Sequence, residues 1–381
     1  MKSLREVLDA YDPKASLERA FTIPASWYVD PRVADLEAKG VFGGTWQMVG
    51  RADQVASAGD YVTATLAGEP VVVVRGDDGE LRGFFNVCRH HAAAVMTEPA
   101  GRARSLRCPY HGWTYGLDGA LKVTPDFTGV CDFDRARNGL VPLAAGIWEN
   151  WVFVRLSQDG PSLEEFVGAD LIAQIGPLGL SGLHWMERRH YAFECNWKVF
   201  VDNYLDGGYH VPYLHKGLDS VLDYGRYAIE NGERHCLQHS PIVKEGAEAQ
   251  TGAVRGGDRA LYYWVYPNFM INWYEGVMDT NLVLPRGVDR TEVIFDFWFP
   301  DVTSEQARAR NKASIEVGQR IQDEDTAICM QVQRGLASRA YQAGRLSVRR
   351  EAGEHLFHRL LHADLSRTLG GEGSFSPPPS H

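Results

Sequence analysis

Residues 85–116 read FNVCRHHAAAVMTEPAGRARSLRCPYHGWTYG, and this stretch decides the fold of the first half of the chain. Cys88-Arg89-His90 is followed, after 17 residues, by Cys108-Pro109-Tyr110-His111. Two thiolates and two imidazoles suit a soft-to-borderline metal. Zinc with two Cys and two His is one reading, but zinc fingers pair Cys with Cys and His with His. Here each pair mixes one Cys with one His. That arrangement lets one iron of a 2Fe–2S cluster take Cys88 and Cys108 while the other takes His90 and His111. Neutral imidazole in place of charged thiolate raises the potential, which suits a one-electron relay.

The flanking sequence reads as short strands and turns. Residues 71–74 are a buried-strand run between Glu69-Pro70 and the turn cluster Gly76-Asp77-Asp78-Gly79. Residues 81–87, 113–116 and 151–156 continue the pattern, and Leu117-Asp118-Gly119 signals a hairpin. Each Cys–His pair is therefore expected at a loop tip of a small all-β module. Before it, residues 1–43 read as an irregular arm with a short helix or two. After it, Gln158-Asp159-Gly160-Pro161 reads as a linker. Residues 189–195, 261–274 and 291–299 are strand-like, the last two rich in aromatic and β-branched side chains. Residues 304–334 are a long helix with Ser304 as N-cap, Glu305 in the first turn and Gly335 past its end. Residues 351–367 give a shorter helix, and the Gly-, Ser- and Pro-rich tail is expected to be disordered.

Between these elements, residues 196–215 read NWKVFVDNYLDGGYHVPYLH with helical periodicity. His210 and His215 can converge near a helix end where Pro212 loosens the backbone. A His pair alone is most often local packing.

The combination resembles the Rieske non-haem iron oxygenases, specifically their alpha subunits. Cys-x-His, the 17-residue gap and Cys-Pro-Tyr-His-Gly-Trp look like the Rieske cluster motif. DNYLDGGYHVPYLHKGL, VYPNFMIN with MDTNLVLP, and VQRGL look most like the branch of choline monooxygenase and the glycine betaine and carnitine oxygenases. The resemblance implies an α+β chain, in which an all-β Rieske domain precedes a helix-grip catalytic domain with an antiparallel sheet around a long C-terminal helix. The implied boundaries are an arm at 1–43 packing on the catalytic domain, a Rieske domain at 44–157, a catalytic domain at 158–368 and a tail at 369–381. It implies mononuclear Fe(II) held by His210, His215 and a later carboxylate. Asp325 is the expected third ligand, with Asp323 and Glu324 as alternatives. Many relatives carry an acid three residues before the first His, where this chain has Gly207. Asp206 takes that connecting role here, with Asp202 as the other nearby acid, and Asn203 matches an Asn near the iron.

The resemblance further implies O2 as co-substrate and electrons from NAD(P)H through a separate flavin or iron–sulfur reductase. Electrons that cross a subunit boundary imply a homotrimer or a multiple of one. The implied substrate is a small quaternary ammonium compound such as choline or glycine betaine, hydroxylated or N-demethylated. The strand region 261–274, LYYWVYPNFMINWY, has the aromatics to cage such a cation, with Trp264, Tyr266, Phe269 and Trp273 as candidates. An aromatic ring-hydroxylating or O-demethylating oxygenase is the alternative, and an electron carrier with a degenerate second half is a third reading.

Composition bounds these readings. The 381 residues carry 39 Lys and Arg against 49 Asp and Glu, a net charge of −10, which disfavours nucleic-acid binding. No run is long and apolar enough for a membrane span, and the charged first residues do not read as a secretory signal. Six cysteines are too few for a disulfide scaffold, which points to a cytoplasmic setting. No Gly-rich phosphate loop follows a strand. His235 with His239, and His355, His358 and His362, have helical spacing that could serve zinc, but neither set has a companion ligand cluster. Cys131, Cys195, Cys236 and Cys329 are isolated and read as small buried hydrophobes.

Overall fold

The structure is a computed structural model that describes residues 2–215, 222–242 and 256–371. It divides into two compact units, one made of residues 2–36 and 167–370, the other of residues 37–166. The expected breaks at 43/44 and 157/158 thus differ from the observed ones by several residues. At the second break the reason is Arg155, which is 3% exposed. Its guanidinium donates to the carbonyls of Ser157, Gln158 and Pro161 at 2.9, 2.9 and 2.6 Å. Trp46 Nε1 also donates to Pro161 O at 3.0 Å. The expected linker is pinned to the β unit, and the chain leaves that unit only after Phe166. The tail from residue 372 onward lies outside the described residues.

The β unit holds a seven-stranded antiparallel sheet in the spatial order Gln47–Arg51, Trp151–Arg155, Pro142–Trp148, Leu81–Phe85, Glu69–Arg75, Asp60–Leu66, Ala100–Arg102. A three-stranded sheet of Leu106–Arg107, Thr114–Tyr115 and Leu121–Val123 completes it. The expected hairpin at 117–119 joins the last two strands. Gly119 there takes φ +79°, and a Cβ would meet the Phe84 ring at 2.4 Å. One core cluster, including Val72, Val74, Phe84, Leu106, Tyr115 and Leu140, also contains Cys88, Cys108 and Trp113. The metal-type residues therefore rest on packed core rather than on free loops.

The second unit is built on a seven-stranded antiparallel sheet, ordered His184–Phe193, Thr291–Phe299, Val277–Pro285, Phe269–Glu275, Gly256–Val265, His235–Pro241, Ala228–Asn231. The long helix Glu305–Leu336 packs against the first strand and against the helix Trp197–Leu205. Ser304 caps it through Oγ, which accepts from Ala307 N at 3.3 Å. The C-terminal helix Ala352–Leu369 packs on Trp197–Leu205 and on the edge strand Ala228–Asn231. No helix among the described residues is long and apolar enough to cross a membrane.

Two local readings change. Residues 261–274 are two strands rather than one, reversing through Tyr266-Pro267-Asn268, and the Tyr266–Pro267 bond is cis. His235 and His239 lie on a strand, where positions four apart are about 13 Å from one another, so no zinc pair forms.

Candidate active site

In the β unit, each Cys–His pair closes a tight loop on its own backbone. Cys88 N donates to Ala93 O and Ala92 N to Cys88 O, at 2.8 and 3.0 Å. Cys108 N donates to Trp113 O and Gly112 N to Cys108 O, at 2.9 and 3.1 Å. Asn86 Oδ1 fixes the return of the first loop by accepting from Val95 N and Met96 N at 3.0 and 2.9 Å. The His90 and His111 ring centroids are 4.7 Å apart, and His90 stacks on Trp113 at 4.7 Å and 8°. Tyr115 Oη lies 3.3 Å from Cys88 Sγ and accepts from Arg89 N at 2.9 Å. His91, beside a candidate ligand in sequence, is exposed and packs on Tyr110 and His111.

This donor set fits a 2Fe–2S cluster. Both thiols are buried and unbridged, and His90 Nδ1 is buried without a partner. Burial and the adjacent Cys88 hold the Cys108 thiol above its usual range, so the charged form requires a cation beside it. Burial and the neighbouring His91 and His111 rings lower the His90 pKa, which keeps its imidazole neutral as a metal ligand must be. No three of the four donors converge within 4.8 Å, as ligands of a single zinc ion would.

In the second unit, residues 196–215 do not form one helix. Asn196 caps the helix Trp197–Leu205 by accepting from Lys198 N at 3.1 Å. The helix ends at Asp206, because Gly207 and Gly208 take φ +68° and +69°. A Cβ on Gly207 would lie 2.0 Å from Arg350 O, so the position admits no side chain. The chain then enters the short helix Val211–Leu214, which places His210 before it and His215 after it.

Three side chains meet here. His210, His215 and Asp325 offer ligand atoms that all lie within 4.8 Å of one another. His215 Nε2 is 3.0 Å and His210 Nε2 3.9 Å from Asp325 Oδ1. The opposite edge of each ring is held by a second carboxylate. Asp206 Oδ2 is 2.5 Å from His210 Nδ1, and Glu324 Oε2 is 2.6 Å from His215 Nδ1. Asp206 also accepts from the backbone of Tyr209 and His210, at 3.1 Å each. Asn203 Nδ2 donates to Asp325 Oδ1 at 2.9 Å. Each imidazole thus turns Nε2 to the centre while a carboxylate takes Nδ1–H, the orientation that metal-ligating histidines need. Burial opposes charging of His215, but its bonds to Asp325 and Glu324 outweigh that and raise its pKa. Two imidazoles and one carboxylate on one side of an open cavity suit a non-haem iron with free coordination positions.

The other acids near the triad have other partners. Asp323 accepts from Gln319 Nε2 at 2.8 Å on the exposed side of the long helix. Asp202 accepts from Tyr28 Oη at 2.5 Å and lies 3.0 Å from His358 Nε2. With Glu354 these two form a buried network, and burial drives the Glu354 pKa well up, which favours its neutral acid. His362 stacks on Trp27, so the three histidines of the C-terminal helix do not act as a set.

The triad borders a cavity of about 130 Å³. Its sheet wall is a row in register across four strands, Gln238, Tyr262, Asn272 and Asp279, with Tyr274 and Asn281 to either side. Tyr204, Tyr227, Phe295 and Gln322 line it from other elements. The expected cage residues Trp264, Tyr266, Phe269 and Trp273 are not among the lining residues. Phe269 and Trp273 alternate onto the opposite face of the sheet from Tyr262 and Asn272. Trp264 shares the inner face but is covered by Phe357 at a centroid distance of 5.5 Å. Tyr266 lies at the turn and donates to Asp364 Oδ2 at 2.7 Å. The missed residues carried a signal of their own. Asn272, Asp279 and Asn281 are polar side chains on the buried face of otherwise apolar strands, where a polar group needs a reason.

Known proteins resemble this chain over most of its length. Residues 45–134 match the family described as the Rieske [2Fe-2S] domain, and residues 180–366 the ring hydroxylating alpha subunit (catalytic domain). Choline monooxygenase of Arabidopsis thaliana is 40% identical, over 96% of this chain and 88% of its own length. The carnitine monooxygenase oxygenase subunit of Escherichia coli K12 is 30% identical, over 91% of this chain and 94% of its own. A solved quaternary ammonium Rieske monooxygenase with bound L-carnitine superposes with a TM-score of 0.80 at 27% identity, covering 96% of this chain and 99% of that one. With both motifs, both domains and near-complete overlap with these relatives, the chain belongs to the Rieske non-haem iron monooxygenases, in the branch of the choline and carnitine enzymes.

Proposed function

We propose that this oxygenase hydroxylates a small quaternary ammonium compound of the choline and glycine betaine type, with electrons supplied by a separate NAD(P)H-dependent flavin or iron–sulfur reductase. Cys88, Cys108, His90 and His111 hold the 2Fe–2S cluster, and His210, His215 and Asp325 hold the iron. The bound iron supplies O2 activation at its open positions. Asp206 and Glu324 orient the two imidazoles, and Asn203 steadies Asp325. Asp206 also connects His210 to the electron donor, in a homotrimer or a multiple of one. A solved relative known for inter-subunit electron transfer supports that assembly.

One observation carries the substrate class. The cavity beside the triad combines the aromatic surface of Tyr204, Tyr227, Tyr262 and Tyr274 with the carboxylate of Asp279. Among its described lining residues there is no Lys or Arg. A trimethylammonium group cannot donate a hydrogen bond, so ring surface and negative charge are what bind it. Each desolvated cation–π contact contributes about 0.5–2 kcal/mol. Burial drives the pKa of Tyr204 and Tyr227 well up, so both stay neutral phenols.

Coupled O2 uptake and titration calorimetry with choline, glycine betaine, carnitine and stachydrine, set against vanillate and benzoate, test the reading. Quaternary ammonium compounds are expected to bind and be turned over. Turnover of the aromatic acids alone would make the chain an aromatic oxygenase. A second expectation concerns Glu324, which holds His215 through Nδ1. Glu324→Ala should weaken iron binding roughly 10–100-fold, read by chelator competition, with the 2Fe–2S spectrum unchanged.

A further inference from the structure

We propose that Asn281 and Gln322 are the residues that select for a neutral oxygen on the substrate, by donating their amide N–H groups to it. Both line the cavity, and both are 2% exposed. Asn281 Nδ2 and Gln322 Nε2 are buried and have no hydrogen-bond partner. A buried amide donor left without an acceptor is costly, and the space that both side chains border is the cavity.

The orientation of Asn281 follows from its neighbours. An ionised carboxylate accepts hydrogen bonds but cannot donate them. Asp279 Oδ2 therefore takes the NH2 of Asn272, at 2.6 Å. That leaves Asn272 Oδ1 to accept from Tyr204 Oη at 2.8 Å. Asn272 Nδ2 also donates to Asn281 Oδ1 at 3.0 Å. With its oxygen so engaged, the part of the Asn281 amide that has no partner is its NH2. Asp279 thus sets the direction of the whole chain of amides, and the free end of that chain is a donor.

Gln322 stands three residues before Asp325 on the long helix, and positions i and i+3 share one face. Its donor therefore belongs to the side of the cavity that holds the triad. Along the sheet wall, Tyr274 pairs with Val277, and Asn281 lies four residues further along the same strand. Four strand residues span about 13 Å, so the Tyr274 end and the Asn281 end of the wall are well separated. A bound cation rests toward the tyrosines while its oxygen reaches the amides. The oxygen is neutral rather than a carboxylate. Asp279 and Asp325 already bring carboxylates to this cavity, and its described lining residues include no Lys or Arg to pair with another. An alcohol such as that of choline meets these conditions.

This proposal rests on the quaternary-ammonium reading, and its test separates the two. Iron-loaded enzyme is titrated calorimetrically with choline, propyltrimethylammonium and glycine betaine. Propyltrimethylammonium keeps the size and charge of choline and lacks its oxygen. The wild type is expected to bind choline about tenfold or more tighter than propyltrimethylammonium, and tighter than glycine betaine. Asn281→Leu and Gln322→Met should each weaken choline binding several-fold and leave the propyl compound unchanged or tighter. Equal wild-type affinity for choline and the propyl compound overturns this proposal while the quaternary-ammonium reading stands. Preference for glycine betaine overturns the neutral-oxygen assignment. A wild type that binds none of the three overturns both readings. The wild-type comparison needs no variant to fold.

Discussion

Replacing His210, His215 or Asp325 by alanine is expected to abolish turnover while the visible spectrum of the 2Fe–2S cluster stays as in the wild type. The loss should exceed the roughly 10–100-fold that removal of an outer carboxylate causes, because a direct ligand goes. All three side chains present their ligand atoms to one point, with His215 Nε2 3.0 Å from Asp325 Oδ1. With two ligands left, the site holds iron weakly, and iron content should fall by about one atom per chain. The cluster is unaffected because its donors come from the other compact unit of the chain. Asp325→Ala discriminates most sharply. Its neighbour Glu324 already serves His215 Nδ1, and Asp323 points to Gln319 on the exposed side of the helix. Near-normal iron content and activity in Asp325→Ala would move the third ligand to one of these two.

Cys88→Ser and His111→Ala are expected to give colourless or weakly coloured protein, with iron reduced from about three atoms per chain to about one. Turnover supported by the reductase should vanish with the colour. Cys88 and Cys108 also belong to the core cluster of the β unit, with Cys88 3% and Cys108 1% exposed. Loss of the cluster should therefore lower the thermal stability of this unit as well. His111→Ala removes a cluster ligand without cutting into the packed core, because His111 is exposed and outside that core. If His111→Ala keeps the wild-type spectrum, the ligand assignment fails. Wild-type protein that is colourless and loaded with zinc would overturn the cluster reading altogether.

The local sequence determined a good deal. The mixed Cys–His pairs at a 17-residue separation, the strand–turn rhythm around them and the capped helix after Ser304 are all local features. Each is contained in one continuous stretch of chain, so the sequence alone could specify it. The resemblance carried by those motifs identified His210, His215 and Asp325, and the structure brings these three together. The sequence already favours Asp206 over Asp202, and the fold supplies its contact with His210. The Gly207-Gly208 turn swings His210 back over Asp206, while Asp202 is drawn to Tyr28 and His358 from segments more than 150 residues away.

The cavity wall was decided by tertiary structure alone. Alternation along 261–274 sorts the aromatics into two faces, but period two does not say which face is concave or how much of it a helix covers. The C-terminal helix covers Trp264 and takes the hydroxyl of Tyr266, leaving Tyr262 and Tyr274 open to the cavity. Gln238, Tyr262, Asn272 and Asp279 become neighbours only because four strands pair in one register. Backbone hydrogen bonding fixes that register, and no single segment encodes it. The direction of the Asn272–Asn281 amide chain comes from the same pairing, since a carboxylate on the adjacent strand sets it. Ligands to a metal are thus legible as residue types at spacings. The side chains that meet a substrate depend on which faces of distant segments the fold turns toward one another.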